Sequence, residues 1–506
     1  MSFDESLFLS VCETARQAAL FHSSADALEW DERTGMPVAA GEYRAQQVSA
    51  LRSSAHRLRI DPAYGDALRT LTEQCDPSDP HSDPVATIRG LHRDFDRDSK
   101  LPLDLVAKLS VATVRGQQTW DDARSRDSFE LFQPALSEVI SLKRDAGERM
   151  AEGTSRSVYE ALLDEYEPDA SVDQLVPVFS DLKHRLATLI SQLTDAPNQP
   201  NADLLRRSFP IQSQRRFSRE VAEYVGFDFS RGRLDETSHP FCTTLGPNDC
   251  RILTRFEENW FPSGLFGTLH EAGHGMYEQG LRSDWFGLPP GSYVSLGIHE
   301  SQSRLWENQV GRSRAFWTGM FPKTKAAFPG PLADCDFDEF YFAINQVSPS
   351  LIRVEADEAT YNLHILIRFE LEQALIAGDL SVADLPDAWN QQYRECLGVE
   401  PPSDADGVLQ DVHWSAGLFG YFPTYTLGNL AAAQLFDVAA TQIDDLESLF
   451  ARGEFTPLLE WLRETVHQHG RCFTGAELVE NATGKPLSSD HLMNYLENKL
   501  KPLYGI

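Results

Sequence analysis

Apolar positions recur three and four residues apart along roughly the first 230 residues of the chain. The segments LFLSVCETARQAALFHSSADALEW and QLVPVFSDLKHRLATLISQL show this spacing, which is the period of an amphipathic helix. The pattern stops at CDPSDPHSDP (75–84) and DAPNQPN (195–201), because a helix interior does not accommodate such runs of proline and aspartate. We predict a mainly helical chain in which both stretches are surface connections, with a mobile lid as the alternative.

The pattern changes at HPFCTTLGPNDCRILTRF (239–256). Here β-branched and aromatic residues flank the turn sequence Gly246-Pro247-Asn248-Asp249, which predicts a short β-hairpin in an otherwise helical chain. Such a hairpin could present an edge strand to an extended peptide and bind the peptide backbone by strand addition. The alternative is a ribbon with a purely structural role, and the sequence leaves both open.

Helical spacing returns after the hairpin and continues towards the C-terminus, apart from a loop rich in proline and glycine at about 400–430. One later segment, EATYNLHILIRFELEQALIAG, carries an apolar stripe formed by Leu363, Leu366, Ile367, Leu371 and Leu375. A stripe at this spacing is typical of a helix face that packs into the core. The fold class that the pattern predicts is therefore mainly α, with a small β-hairpin or sheet.

Composition narrows the choice of partners. The 506 residues include 45 Lys and Arg against 76 Asp and Glu, a net charge of −31, and such a surface repels nucleic acid and anionic membranes. No apolar run approaches the roughly 20 residues that cross a bilayer, and the first residues are acidic where a secretory signal is basic. The seven cysteines are scattered and odd in number, which is typical of free thiols. We expect a cytoplasmic protein, from a high-salt host or an ordinary one.

The candidate chemistry begins at HEAGH (270–274). If 264–280 is helical, His270 and His274 lie one turn apart on one face and can place two imidazole nitrogens on one zinc ion. Glu271 lies beside them, where a carboxylate can take a proton from an attacking water and later give it to the leaving amine. The glycines of this stretch weaken the helix. The alternative interpretation is that the histidines are packed or solvated without a metal and that Glu271 is a surface residue.

A catalytic zinc usually takes three protein ligands, so a third must come from elsewhere. Glu300 follows His274 by 26 residues, enough for a turn at Pro289-Pro290-Gly291 and a second helix antiparallel to the first. His299 competes for the role, but adjacent residues on a helix point about 100 degrees apart, so only one of the two faces the metal. Glu307 is either an outer partner of the site or a solvated charge.

Five motifs in one order make the chain recognisable. The runs HPFCTTLGPNDCRILTRF, HEAGHGMYEQG, IHESQSRLWEN, LIRVEADEATYN and GVLQDVHWSAGLFGYFPTYTLGN resemble the carboxypeptidase Taq family of zinc metallocarboxypeptidases. The resemblance implies a large two-lobed helical body with a deep central groove, a homodimer, and release of C-terminal residues one at a time with broad specificity. It also implies one Zn²⁺ per chain, for which Co²⁺ can substitute, and peptide substrates with a free C-terminus.

Carried over by position, the resemblance makes His270, His274 and Glu300 the metal ligands and Glu271 the general base. The remaining matches are His239-Pro240-Phe241, then Asp249, Arg251 and Thr254, then Ile352, Arg353, Ala356 and Asp357, and finally Gly407, Gln410, Asp411, His413 and Trp414. Cys250 stands where an aliphatic residue would be expected. On this basis we treat 1–506 as a single catalytic unit, with a mostly helical part at 1–235 and the metal-binding and substrate-groove part at 236–506.

The resemblance also suggests groups beyond the metal. Oxyanion donors would be His239, His413 and one of Tyr421 and Tyr425, although each tyrosine could equally be a packed aromatic. A C-terminal carboxylate would bind Arg353, or Arg251 as second choice, because a guanidinium can donate two hydrogen bonds to it. Either arginine could instead hold a structural ion pair with Asp249, Glu355 or Asp357. Gln410 and Asp411 belong to a loop that could contact substrate and limit its length.

Two rival functions stay open. An oligopeptidase of the same fold would cut internally and would accept a blocked C-terminus. A catalytically silent scaffold would bind metal or peptide without turnover, but the presence of Glu271 speaks against it, because zinc binding does not require a general base. A structural zinc is disfavoured, since such sites are usually closed by four cysteine-rich ligands and no cysteine lies near HEAGH.

Overall fold

The computed structural model describes residues 3–76 and 78–506, and these are mainly α-helical, as predicted. Three short strands form the β-structure of the described residues: β1 (Gly232–Glu236), β2 (Phe241–Thr244) and β3 (Cys250–Thr254). The helices are α1 (Glu5–Thr34), α2 (Gly41–Arg59), α3 (Pro62–Gln74), α4 (Asp83–Ser99), α5 (Leu103–Ser125), α6 (Phe129–Ala151), α7 (Val158–Leu163), α8 (Val172–Thr194), α9 (Ile211–Val225), α10 (Phe261–Gly280), α11 (Leu296–Arg304), α12 (Arg314–Ala327), α13 (Phe337–Ile344), α14 (Tyr361–Ala377), α15 (Leu385–Leu397), α16 (Pro423–Gln442), α17 (Leu446–Arg452), α18 (Thr456–Thr465), α19 (Gly475–Thr483) and α20 (Ser489–Tyr504).

The chain divides into two compact units, each built from three separate segments. Unit 1 comprises Met1–Ser99, Pro200–Ile344 and Ala432–Pro486, and unit 2 comprises Lys100–Gln199, Asn345–Ala431 and Leu487–Ile506. The division of the catalytic chain into parts at residue 235 stays a prediction.

The proline-rich stretches are connections in the described chain. The stretch 75–84 joins α3 to α4, with Pro77 outside the described residues, and 195–201 follows the end of α8. No helix in the described residues is both long and apolar enough to span a bilayer. All seven cysteines are free thiols, as predicted.

The predicted hairpin is present in unit 1. Strand β2 pairs antiparallel with β3, with Phe241 opposite Leu253, and the turn places Gly246 and Asn248 at positive φ. The sheet has one more strand than the sequence indicated, because β1 pairs with β3 in parallel and leaves β3 in the middle. Strand β1 reads GRLDE and lacks the alternation of a half-buried strand, so only its pairing partner identifies it. Strand β2 is an edge strand of this sheet.

Helix α14 forms the core of unit 2. All five residues of its predicted apolar stripe are at most 4% exposed, which confirms the prediction of core packing. A second row on the same helix is also buried, although its members are polar: His364, Arg368 and Glu372 are 0% exposed. Polar groups buried in this way must find partners within the protein. The loop that follows α15 supplies several of these partners: Asp411 and Gln410 accept from Arg368, and Trp414 donates to Glu372.

Candidate metal centre

Helix α10 presents two imidazoles on one face, and α11 brings a carboxylate to them. Rings His270 and His274 are 4.9 Å apart between centroids. Glu300 Oε2 lies 3.5 Å from His270 Nε2 and 3.4 Å from His274 Nε2. Within the described residues, these three side chains form the group of ligand atoms that lie within 4.8 Å of one another and could hold a metal ion. The structure thus brings together the three residues that the sequence suggested as ligands.

The spacing of the three atoms suits zinc. Atoms bound tetrahedrally at about 2.0–2.2 Å from one ion lie about 3.3–3.6 Å from each other, which is the spacing of Glu300 Oε2 from both histidines. Two imidazoles and one carboxylate are also a donor set that zinc accepts, with a fourth position left for water or substrate. The residues present therefore fit the ion that the resemblance implies.

Glu307 fixes the orientation of His270. Its Oε2 lies 2.9 Å from His270 Nδ1, so the imidazole N–H donates there and the Nε2 lone pair faces Glu300. The Glu307 side chain is only 13% exposed and is not a solvated charge. It lies in a π-helical turn, Leu305–Val310, that continues α11. Burial raises the pKa of Glu307, but Arg304 and the bond to His270 outweigh it and lower the pKa to about 2. The glutamate is therefore an ionised acceptor for His270.

Glu300 is held in the charged form that a metal ligand needs. Arg304 Nε donates to its Oε1 at 2.7 Å, and Ser303 Oγ donates to its Oε2 at 3.0 Å. Burial raises the pKa of this carboxyl, but Arg304 and His270 outweigh burial and hold it well below its usual range. Sequence reasoning missed Arg304, although a Glu and an Arg four residues apart on a helix are a recognisable signal.

Glu271 differs from the other carboxylates of the site. It is 5% exposed, and its Oε2 meets no hydrogen-bond partner among the described residues. Burial raises its pKa to about 7, against the opposing effect of the neighbouring His270. A buried oxygen without a partner is costly to a fold and commonly marks a functional position. Its position beside two candidate ligands is compatible with proton transfer by a general base.

His299 does not join the ligand atoms. Its Nε2 lies 2.8 Å from Glu278 Oε1, and its ring stacks on that of His274 at 4.4 Å between centroids. Of the two adjacent candidates on α11, Glu300 is the one whose carboxylate oxygen lies within 3.5 Å of both His270 and His274.

The other predicted residues of unit 1 lie in and beside the sheet. His239 is exposed in the connection between β1 and β2. Arg251, on β3, donates to Asp249 through Nε and Nη2, both at 3.0 Å, and its guanidinium lies 4.0 Å from the ring centroid of Trp30. This is the ion pair with Asp249 that the sequence left open for Arg251. Its role towards substrate stays a prediction.

The predicted site residues of unit 2 include a group around the Asp411 carboxylate. Arg353 is 5% exposed and donates to Asp411 Oδ1 from Nε at 3.0 Å and from Nη2 at 2.8 Å. Its backbone N–H donates to Gln410 Oε1 at 2.9 Å. The ion-pair partner of Arg353 is thus Asp411, not one of the three acids that the sequence suggested. Asp357, one of those three, instead accepts the backbone N–H groups of Ser348, Ala359 and Thr360.

Aromatic side chains surround this ion pair. The ring of His413 lies 5.5 Å from Tyr421 and 6.4 Å from Tyr425, and the Arg353 guanidinium lies 5.4 Å from the ring centroid of Tyr425. Arg368 of α14 donates to the second oxygen of Asp411 at 2.7 Å. Sequence reasoning missed Arg368, although an arginine beside the apolar stripe of a predicted core helix is an available signal, since arginine is rarely buried without a partner.

Gly273 sets the close approach of α10 and α11. A Cβ at this position would lie 2.6 Å from the carbonyl oxygen of Gln302 and 2.7 Å from the Cα of Ser303, both backbone atoms. The glycine that weakens the helix locally is therefore needed where α10 and α11, the helices that carry the candidate ligands, approach each other.

We expect Gly273→Ala to lower the stability of unit 1 by about 1–3 kcal/mol, because the backbone of α11 must move. The same movement would separate Glu300 from the histidines and weaken zinc binding. Gly267→Ala on the same helix is the control, since its Cβ would meet only the Thr254 hydroxyl at 3.1 Å. Zinc titration and thermal unfolding of both variants provide the measurement. Equal zinc affinity and equal thermal stability of the two variants would contradict the prediction.

An H-E-x-x-H helix whose histidines converge with a carboxylate from the following helix is the arrangement of a metallopeptidase. Similarity to known proteins identifies the family within this class. The sequence model of the carboxypeptidase Taq (M32) metallopeptidase family matches residues 10–500. The chain belongs to this family and is a metallocarboxypeptidase, as the motifs suggested.

Two relatives and one solved structure match at least 94% of this chain. Thermostable carboxypeptidase 1 of Thermus thermophilus is 44% identical over 99% of both chains, and carboxypeptidase 1 of Bacillus subtilis is 38% identical over 94% of both. The crystal structure of the M32 carboxypeptidase from Deinococcus radiodurans superposes with a TM-score of 0.95 at 40% identity, covering 99% of this chain and 100% of that one. The mainly helical fold is thus the fold of M32 carboxypeptidases.

Proposed function

We propose that the protein is a zinc-dependent carboxypeptidase that removes C-terminal residues one at a time from peptides, with broad specificity. His270, His274 and Glu300 would hold the ion, and Co²⁺ could replace it. The observation that carries this proposal is the convergence of three ligand atoms beside a buried glutamate oxygen that has no partner among the described residues.

When bound, zinc supplies Lewis-acid chemistry by polarising the peptide carbonyl and making water more acidic. Glu271 takes a proton from the attacking water through its free oxygen and delivers it to the leaving amine. Glu307 keeps the lone pair of His270 directed at the site by accepting its Nδ1–H. Arg304 keeps Glu300 ionised and aligned.

The groups beyond the ligands are proposals as well. We infer that the terminal carboxylate of the substrate binds at Arg353, with Arg251 as second choice, and that Gln410 and Asp411 orient the arginine. Oxyanion donors would come from His239, His413, Tyr421 and Tyr425. The charge of −31 favours peptides with neutral or basic C-terminal residues over acidic ones. The homodimer, the cytoplasmic location and an edge-strand role for β2 stay predictions.

The decisive experiment offers one peptide with a free and with an amidated C-terminus to the zinc-loaded protein. Mass spectrometry is expected to show a ladder of single-residue losses from the free form only. Glu271→Gln is the control and is expected to leave both peptides intact, because the proton acceptor is removed.

The other outcomes are equally informative. Internal cuts in both peptides would replace the proposal with an oligopeptidase. Intact peptides in the presence of bound zinc would contradict turnover and favour a binding role. A ladder that persists in Glu271→Gln would contradict the assignment of the general base.

A further inference from the structure

The imidazole of His299 is packed against a proposed metal ligand without being one itself. We propose that Glu278 and His299 form a positioning pair that holds the ring of His274 in its metal-binding orientation. The proposal rests on the function proposed above, because it requires zinc at His270, His274 and Glu300.

The two histidines on α10 are held in different ways. His270 has a carboxylate at its second nitrogen, since Nδ1 lies 2.9 Å from Glu307. The Nδ1 of His274 is buried and meets no hydrogen-bond partner in the described part of the chain. A metal-binding histidine almost always owes its ring orientation to a hydrogen bond at the other nitrogen. Something else must therefore fix the ring of His274.

Stacking on His299 provides that restraint. The two rings are nearly parallel, with 24° between their planes and 4.4 Å between their centroids. Stacking at this separation is favourable and restricts rotation of both rings. Tyr293 and Tyr277 contact the same imidazole at 5.0 and 5.5 Å between centroids, so His299 has little room to turn.

Glu278 anchors His299 to two other elements. It lies one turn after His274 on α10, and its Oε1 lies 2.8 Å from His299 Nε2. Its second oxygen accepts a hydrogen bond from Thr244 Oγ1 of β2 at 3.0 Å. Both members of the pair are largely buried, at 15% and 11% exposed side chain. The restraint on His274 thus extends from the edge strand through Glu278 to His299.

Zinc affinity tests this restraint directly. We would measure it by competition with a chromophoric chelator for the parent, His299→Ala, His299→Phe and Glu278→Ala. His299→Ala is expected to bind zinc about 10- to 100-fold more weakly. His299→Phe keeps a ring against His274 and is expected to recover most of that loss. The visible spectrum of the Co²⁺ form should change in His299→Ala and remain close to the parent in His299→Phe.

Two reference variants complete the design. His184→Ala removes an exposed histidine of α8 and should match the parent, whereas His274→Ala removes the ligand itself. Zinc affinity within twofold of the parent in His299→Ala, with an unchanged cobalt spectrum, would overturn the inference. So would a His299→Phe variant as weak as His299→Ala, because stacking would then not be the cause.

A wrong assignment of the metal site would give a different result from a wrong assignment of the positioning pair. If His274→Ala binds zinc as tightly as the parent, the proposed metal site is wrong and the inference falls with it. Circular dichroism shows whether His299→Ala folds. If it does not, Glu278→Ala and His299→Phe provide the test. Weaker zinc binding in Glu278→Ala with near-parental binding in His299→Phe supports the pair, and parental affinity in Glu278→Ala overturns it.

Discussion

Glu271→Gln is expected to lower kcat by about 10²- to 10⁴-fold while leaving zinc affinity nearly unchanged. The range is the usual contribution of a general acid or base, and the residue is proposed to transfer protons without binding the ion. The amide has the size of the carboxyl group, so the helix that carries the histidines need not move. Steady-state kinetics on a peptide with a free C-terminus, together with chelator competition for zinc, provides the measurement.

The same substitution should not destabilise the protein. Burial of Glu271 raises its pKa to about 7, and its Oε2 has no partner among the described residues, so the carboxylate form is held at a cost to folding. Glu220→Gln, an exposed glutamate on α9, is the matched control and should change neither rate nor stability. A Glu271→Gln enzyme that retains more than a tenth of the parental kcat would contradict the assignment.

The second large effect is expected at Asp411. Its carboxylate accepts from Arg353 and Arg368, whose side chains are 6% and 0% exposed. Asp411→Ala would leave two buried guanidinium groups without their counter-charge, and breaking such a pair typically costs about 3–5 kcal/mol. The loss should be confined to unit 2. Hydrogen exchange resolved to peptides of unit 2 measures it without assuming that the whole chain unfolds in one step.

An exposed ion pair in the same unit is the control for Asp411. Glu400 pairs with Arg394 at 2.8 Å, but both side chains are more than half exposed, so Glu400→Ala should cost at most about 1 kcal/mol. If Asp411→Ala lowers the stability of unit 2 no more than Glu400→Ala does, the buried network does not stabilise unit 2.

The pH dependence of the Asp411 contribution follows from its environment. Burial raises the pKa of this carboxyl, but Arg353 and Arg368 outweigh burial and hold the pKa far below its usual range. A depressed pKa contributes stability that is fully present above the unfolded value of about 3.9 and is lost as the pH falls below it. The difference between parent and Asp411→Ala should therefore be constant near neutral pH and shrink only in strong acid.

The sequence alone determined the features that depend on local chemistry. Helical spacing predicted a mainly α fold, the turn around Asn248 predicted the hairpin, and the apolar stripe of α14 predicted its buried face. The HEAGH spacing placed two imidazoles on one face, and the distance to Glu300 suggested the third ligand. The predictions of the helical fold, the hairpin and the buried stripe succeed because helix periodicity and turn chemistry act over a few residues.

Only the tertiary structure decided what depends on distant segments. It showed that Glu300, and not the adjacent His299, lies with the two histidines of α10, which the sequence could not decide. It also paired Arg353 with Asp411, 58 residues away in the chain. It added β1, whose polar sequence carries no strand signal until β3 lies beside it. It also explained Gly273. A glycine weakens a helix, but this one is necessary because the backbone of α11 would lie within 3 Å of a Cβ at this position. Pairings of this kind are set by packing between elements, which no local pattern records.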